Sequence, residues 1–460
     1  MLFMNRTVVQ LLQATVWSKL KSEPGLPGFG VDFERCLMAV VMACSREVVR
    51  QELLKLDPAE REICIDGEKW TRAVRSEREY DTQFGKVSVE RGLYRKVRNG
   101  PTRCPMEERF GLLESGWTSD AARLSCFLLT DLTSRGVERF FREQGGMNPS
   151  RTKLERLTKG VGDVLESNRE RIDGDLRTRV EIPTAAVTVA VSLDGVMVKL
   201  QESNRKEQVA EAKMEGRKVG GPIGSSEASV GTLTFYDAQC GRLQTRRFGR
   251  MPEPNKQTMK DLLQAELVAI RAARPDLRVV AVSDGASNLW SFLESLNPDH
   301  QVVDAYHTLE HLKRRLDRSL GVGSHATQTT YAAMKESLLT TPGGHESVFA
   351  QLERIERRAG KFKPRKRKGK GAQPTFYERH HDRMKYAEHR QLRLPIGSGV
   401  VEGTARYMVV DRLRRTGMRW KSQGGQAILT MRQYAANNQF NDAWGIYQSL
   451  EREAKIAVAA

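Results

Sequence analysis

Val187-Thr-Val-Ala-Val-Ser-Leu-Asp-Gly-Val-Met-Val198 is the stretch on which the fold turns. It is short, crowded with β-branched residues and flanked by polar sequence, the signature of a buried strand. Asp194 sits within it, followed by Gly195. A carboxylate there is costly to bury unless something positive meets it. Leu277-Arg-Val-Val-Ala-Val-Ser-Asp-Gly-Ala286 repeats the arrangement, with Asp284 before Gly285. Two strand ends of this kind predict two carboxylates on adjacent strands. The natural partner of such a pair is a divalent metal ion.

Working outward from the first strand, residues 202–227 read as a polar, glycine-rich loop. Ser229–Tyr236 and Arg242–Phe248, joined by Asp237-Ala-Gln-Cys-Gly241, carry a hairpin signature. Residues 255–273 form an amphipathic helix with Met259, Leu262, Leu263, Leu267 and Ile270 on one face. After the Asp284 strand come a helix (Ser287–Leu296), a strand (Gln301–Tyr306) and a helix (Thr308–Leu320). Strand, hairpin, helix, strand, helix, strand, helix predicts a mixed α/β sheet core over 185–320. Residues 321–394 leave that pattern and read as a basic helical insertion. Lys361-Phe-Lys-Pro-Arg-Lys-Arg-Lys-Gly-Lys370 interrupts it as a solvated loop. The charge of the whole chain turns Lys361, Lys363, Arg365, Lys366, Arg367 and Lys368 toward phosphate. All eight histidines fall between His300 and His389. His325, His345, His380, His381 and His389 show no ligand spacing and read as surface or DNA-facing residues.

Upstream, residues 1–60 read as helical, with Val8, Leu11, Leu12 and Val16 at helical spacing. Residues 61–110 read as a small β region built on Trp70, Tyr80, Val87, Val89 and Tyr94. Its Arg91, Arg95, Lys96, Arg98 and Arg103 suit phosphate contact or a solvated face equally. Residues 111–180 are helical again, with segments at 119–132, 134–144 and 150–166. The break at Gly145–Ser150, followed by a helix bearing Arg151, Lys153, Arg156 and Lys159, resembles a helix-turn-helix. The chain of 460 residues carries a net charge of +18, which points to a polyanionic partner. Its longest apolar run, Cys36–Cys44, is too short to span a bilayer, and no secretory signal is expected. Six scattered cysteines without a Cys-x-x-Cys fit reduced thiols in a cytosolic protein.

A third acid stands in Leu394-Pro-Ile-Gly-Ser-Gly-Val-Val-Glu-Gly403, which leads into a helix running to about Arg415. Ser398 is the expected N-cap, and Glu402 falls in the first turn, where the helix dipole favours its ionised form. Asp194, Asp284 and Glu402 lie 90 and 118 residues apart, so only the fold can unite them. Beyond the glutamate, Arg406, Arg412, Arg414, Arg415, Arg419 and Lys421 with Trp420 suit a backbone-binding surface with one stacking side chain.

Ser-Leu-Asp-Gly at 192–195, Val-Ser-Asp-Gly-Ala at 282–286, Asp-Ala-Tyr-His at 304–307, Gly-Ser-Gly-Val-Val-Glu-Gly at 397–403 and Gly-Met-Arg-Trp at 417–420 resemble DDE transposases of bacterial insertion sequences. The resemblance is to the ISKra-type group, itself similar to Mutator-like transposases, and covers about 60–450. It implies an RNase-H-like mixed sheet interrupted by the all-helical insertion and completed by a core segment at 395–440 that carries the glutamate helix; residues 441–460 read as a tail. It also implies that Asp194, Asp284 and Glu402 bind two Mg2+ ions, replaceable by Mn2+, for DNA cleavage and strand transfer. Asp304 and His307 match an Asp-x-x-His signature expected beside that centre and near the DNA. His307, with an imidazole pKa near neutrality, is expected to move a proton or touch a phosphate. Members of the group often carry a zinc ribbon where 61–110 lies; Cys64 and Cys104 alone cannot complete a tetrahedral site, so no zinc is expected. The implied partners are the terminal inverted repeats and target DNA, bound by a homodimer. The implied setting is the bacterial cytoplasm, with the protein associated with the nucleoid and not with a membrane. Two rivals are a nuclease or resolvase without strand transfer, and a DNA-binding regulator with an inactive core.

Overall fold

The computed structural model describes residues 10–11, 13–16, 18, 29–113, 115–201, 205–216, 224–361 and 376–459. They pack as two units, Met1–Ile172 with Gln439–Ala460, and Asp173–Asn438.

In the first unit, α1 (Phe29–Leu56) packs on an antiparallel sheet of β1 (Glu62–Ile65), β2 (Glu68–Thr82) and β3 (Gly85–Arg95) in that order. Along β3 the pattern is strict: Val87 and Val89 are buried while Lys86, Ser88 and Glu90 are exposed, as one wetted sheet face requires. Leu53 of α1 meets Tyr80, Val87 and Val89 in a common core. Five helices follow: α2 (Pro105–Phe110), α3 (Ser119–Asp131), α4 (Ser134–Gln144), α5 (Arg151–Ser167) and α6 (Arg169–Thr178), of which the last belongs to this unit only as far as Ile172. Ser150 caps α5, its Oγ accepting from the Lys153 amide at 3.3 Å. Residues 441–460 are not a tail. Phe440–Ala459 is a helix whose Phe440, Ala443, Trp444, Tyr447 and Leu450 are buried at helical spacing. Trp444 Nε1 donates to Ser119 Oγ at 3.0 Å, and the Phe440 ring meets Phe127 edge-on at 5.3 Å.

The second unit opens with β4 (Thr188–Lys199), buried without a break from Thr188 to Leu193 as a strand covered on both faces must be. Next is α7 (Arg205–Met214), a helix inside the stretch read as loop; its alternating charges hid a short helical segment. β5 (Ser225–Tyr236) and β6 (Arg242–Arg250) add the hairpin, and α8 (Gln257–Ala273) packs on it. Met259, Leu262, Leu263, Leu267 and Ile270 are buried there, each worth about 1.5–3 kcal/mol in apolar transfer. Then come β7 (Arg278–Ser283), α9 (Ser287–Ser295), β8 (His300–Val303) and α10 (Ala305–Leu320). The strands stand in the order β6-β5-β4-β7-β8, with β4, β5 and β6 antiparallel and β7 and β8 running parallel to β4. The described part of 321–394 is helical: α11 (His325–Thr340), α12 (Gly344–Arg358), α13 (Phe376–His380), a 3-10 turn at His381–Arg383 and α14 (Tyr386–Gln391). α15 (Gly399–Ala405) packs on β4 and β5, continues through a π turn at Arg406–Val410 to Leu413, and is followed by α16 (Ser422–Ala436).

Candidate functional site

Parallel pairing between β4 and β7 runs from Thr188 opposite Arg278 to Val191 opposite Ala281 and then stops. Ser283 Oγ still ties the strands by donating to the Leu193 carbonyl at 3.2 Å. Past that point β4 stays paired only with β5, Asp194 lying opposite Val230. Asp194 therefore lies within β4, just past the point where β7 parts from it, and Asp284 lies in the turn directly after β7. The expectation that both acids stand at strand ends holds for Asp284 and not for Asp194. Each spends a carboxylate oxygen on the backbone: Asp194 Oδ1 accepts from Gly195 N at 2.7 Å, and Asp284 Oδ1 from Ala286 N at 3.0 Å. Burial pushes the Asp194 carboxyl up; the Gly195 amide opposes this, while the charges of Asp284 and Glu402 push it further. Two acids far away in sequence thus act on Asp194.

Asp304 occupies the matching position at the end of β8. It is fully engaged. Its Oδ1 accepts from the His307 amide at 2.7 Å, capping α10, and lies 3.2 Å from His307 Nδ1. Its Oδ2 accepts a short bond from the backbone amide of Ser398. The Ala305 amide in turn donates to Ile396 O at 3.0 Å. Burial would raise this carboxyl, but the bonds from His307 and Ser398 outweigh it and hold it at about 2. The bond to Asp304 lifts the His307 imidazole to about 9 against burial, and the charges of Asp304, Glu402 and Asp284 add to it. His307 is thus a cation at neutral pH, not a group poised to exchange a proton there. Asp304 is the clamp joining the start of α10 to the turn that launches α15.

Glu402 projects from the first turn of α15, its side chain 48% exposed. Its Oε1 accepts from Ser398 Oγ at 3.1 Å and lies 3.7 Å from His307 Nδ1. Ser398 is not the expected side-chain cap of α15: its amide serves Asp304 and its hydroxyl serves Glu402. Ligand atoms of Asp304, His307 and Glu402 all lie within 4.8 Å of one another. Among the described residues Asp194, Asp284 and Glu402 do not form so tight a set. A protonated imidazole and a carboxylate whose oxygens are already bonded make poor ligands, so the Asp304–His307–Glu402 set is better described as an ion-pair cluster. Asp194, Asp284 and Glu402 supply only oxygen donors around an excess of negative charge, which fits a hard divalent cation such as Mg2+.

Sequence reasoning missed two neighbours. Lys256 acts on Asp194 electrostatically and pairs with Glu227 at 3.0 Å. Glu227 lies so close over Gly195 that a Cβ there would stand 2.0 Å from its Oε1. The only local hint was the glycine after Asp194; Lys256 belongs to a turn with no chemical pattern, its backbone left-handed at φ 55°.

The basic candidates separate by environment. Arg406, Arg414, Arg415, Arg419 and Lys421 are exposed, as is Lys361. Arg412 is not a surface cation: it is 3% exposed and its guanidinium lies 5.3 Å from the Trp420 ring centre. Trp420 is itself tied inward, Nε1 donating to Leu413 O at 2.9 Å and its amide to Lys199 O at 3.0 Å. Helical spacing from Glu402 does not tell which arginines face the sheet. Lys363, Arg365, Lys366, Arg367 and Lys368 lie outside the described residues. In the first unit Arg91 faces Glu107, and Arg103 is held by Glu108 and Asp66. Lys153 is paired with Asp81 instead of projecting outward.

The histidines also depart from expectation. His345, His380 and His389 are buried, at 3%, 1% and 6% exposure, and so are neither surface nor DNA-facing. The insertion helices fold their imidazoles inward, with His380 Nε2 3.1 Å from the Gly285 carbonyl behind the Asp284 turn. His325 is exposed and His381 partly so.

No protein-family model matches the chain, and no curated protein does. Among solved structures, the Drosophila P element transposase strand transfer complex is similar over 70% of this chain and 80% of that one, at 12% identity and a TM-score of 0.26. A likeness that faint decides neither fold nor activity. Among the described residues no helix is long and apolar enough to cross a membrane.

Proposed function

We propose that this chain is a metal-dependent DNA transposase that binds the ends of a mobile element, cleaves strands and transfers them, acting as a dimer on DNA. The observation that carries it is that the charges of Asp284 and Glu402, 90 and 208 residues away, both reach the half-buried Asp194 where β4 and β7 part. The succession of a strand and a hairpin, then helix, strand, helix, strand and helix, supports an RNase-H-like core of the DDE type, as the motifs imply. The net charge of +18 supports a nucleic-acid partner.

In this reading Asp194, Asp284 and Glu402 hold the divalent cations. Bound Mg2+ would supply activation of the attacking oxygen and stabilisation of the leaving 3′-oxygen. Asp194 is carried within β4 and Asp284 on the turn that follows β7. Glu402 rests on Ser398 and His307 and would have to turn from the imidazolium to hold a cation with the two aspartates. Protonated His307 then faces phosphate as a hydrogen-bond donor, and Asp304 keeps it aimed. The exposed Arg406, Arg414, Arg415, Arg419 and Lys421 follow the strand backbone.

The test uses element-end DNA with Mg2+ or Mn2+. Asp194→Asn is expected to lower cleavage and strand transfer by more than about 1,000-fold while leaving end binding intact. Normal transfer by that variant sinks the proposal. Cleavage by the unaltered protein without joining favours the nuclease rival.

A further inference from the structure

A second cluster lies in the helical insertion, apart from the acidic edge. His345 and Glu346 begin α12, and His381 opens the turn after α13. Each offers a ligand atom, and these atoms all lie within 4.8 Å of one another. The imidazole rings of His345 and His381 are 4.7 Å apart and tilted by 59°. His345 is 3% exposed, yet both its ring nitrogens are buried without a hydrogen-bond partner. A neutral imidazole always has a donor and an acceptor to place, so leaving both unmade in the interior is costly. Glu388 of α14 stands close enough for its charge to act on His345. Its Oε1 accepts from Gly343 N at 2.9 Å, and its Oε2 is also buried without a partner.

We propose that His345, Glu346 and His381 form a site for a divalent transition-metal ion of the Zn2+ or Co2+ class. Two imidazoles and a carboxylate suit such an ion and not Mg2+, which prefers oxygen throughout. The expectation of no zinc rested on the cysteines of residues 61–110; this site needs no thiolate and runs against that expectation. A metal here staples the start of α12 to the turn after α13, closing a loop that contains Lys361–Lys370. Its contribution is thus to folding of the insertion and not to phosphodiester chemistry.

The experiment takes the full-length, tag-free chain, stripped with chelator, and titrates Co2+ by visible absorption and Zn2+ by calorimetry in excess Mg2+. One equivalent is expected, with d–d bands of a low-coordinate Co2+ ion and a raised Tm. His381→Ala, and Glu346→Gln at an exposed position, are each expected to weaken binding more than about 10-fold. An Asp194→Asn/Glu402→Gln chain is expected to keep the equivalent. No stoichiometric binding, or binding that survives both His381→Ala and Glu346→Gln but is lost with the two acids, overturns the proposal.

Discussion

At the scale of single residues, the strongest interaction near the acidic edge belongs to Asp304, which accepts from His307 and from an amide 94 residues away. Its carboxyl is held at about 2 and His307 is lifted to about 9. The depressed acid contributes stability that is present above its ordinary value and lost as pH falls through about 2. The raised base contributes stability that is complete below its ordinary value and lost as pH rises through about 9. Asp304→Asn is therefore expected to cost about 2 kcal/mol, steadily from about pH 4 to 6.5, with the difference shrinking toward pH 9. Denaturant midpoints measured against pH check this. His307 in the variant should titrate nearer an ordinary imidazole, read from its ring proton shifts; a value still near 9 would assign the shift to Glu402 and Asp284 instead. The strand holding Asp194 and the strand leading to Asp284 were legible as β-branched runs, but the sequence put both acids at strand ends, and Asp194 lies within β4. The work of Asp304 was not legible. A side chain that serves a distant backbone amide leaves no periodicity or spacing to read.

At the scale of elements, the turn after β7 shows how closely the insertion covers the site. A Cβ on Gly285 would stand 2.0 Å from Phe376 Cε2 and 2.8 Å from its Cδ2. The Phe376 ring is stacked on His311 at 4.3 Å, so it cannot swing away as the end of a glutamate could. Gly285→Ala is thus expected to destabilise the second unit by about 1–3 kcal/mol and to raise hydrogen exchange in α13. The cost should fall in a Phe376→Ala background, a coupling that a double-mutant cycle reads directly. Equal costs in both backgrounds would locate the strain elsewhere. Gly195→Ala poses the gentler version: Glu227 can rotate, so the expected loss is its pairing with Lys256 and little stability. The sheet strands and α8 were readable because periods of 2.0 and 3.6 separate them. α7 and the helix Phe440–Ala459 were overlooked: the first is short and charged, and the second buries its face only between Phe440 and Leu450, in a stretch that composition alone reads as tail.

For the molecule as a whole, the 75 Lys and Arg residues overstate the cations available to DNA. Arg103 is neutralised by Glu108 and Asp66, Lys153 by Asp81, and Arg412 is buried beside Trp420. Each such pair removes a positive charge from any phosphate interface without changing the composition. The basic run at Lys361, Lys363, Arg365, Lys366, Arg367 and Lys368 is the densest remaining source. Counterion release gives each phosphate contact a slope of roughly −0.9 in log K against log salt. Replacing all six by Gln is therefore expected to flatten that slope by about 5 if every one meets a phosphate, and to weaken end and non-end DNA alike. Arg412→Gln should leave the slope unchanged and lower stability instead, because its guanidinium is 3% exposed. Filter binding across a salt series reads both. An unchanged slope in the six-fold variant would move the interface to Arg406, Arg414, Arg415, Arg419 and Lys421, which stand exposed after the glutamate helix, and their own replacement should then carry the loss.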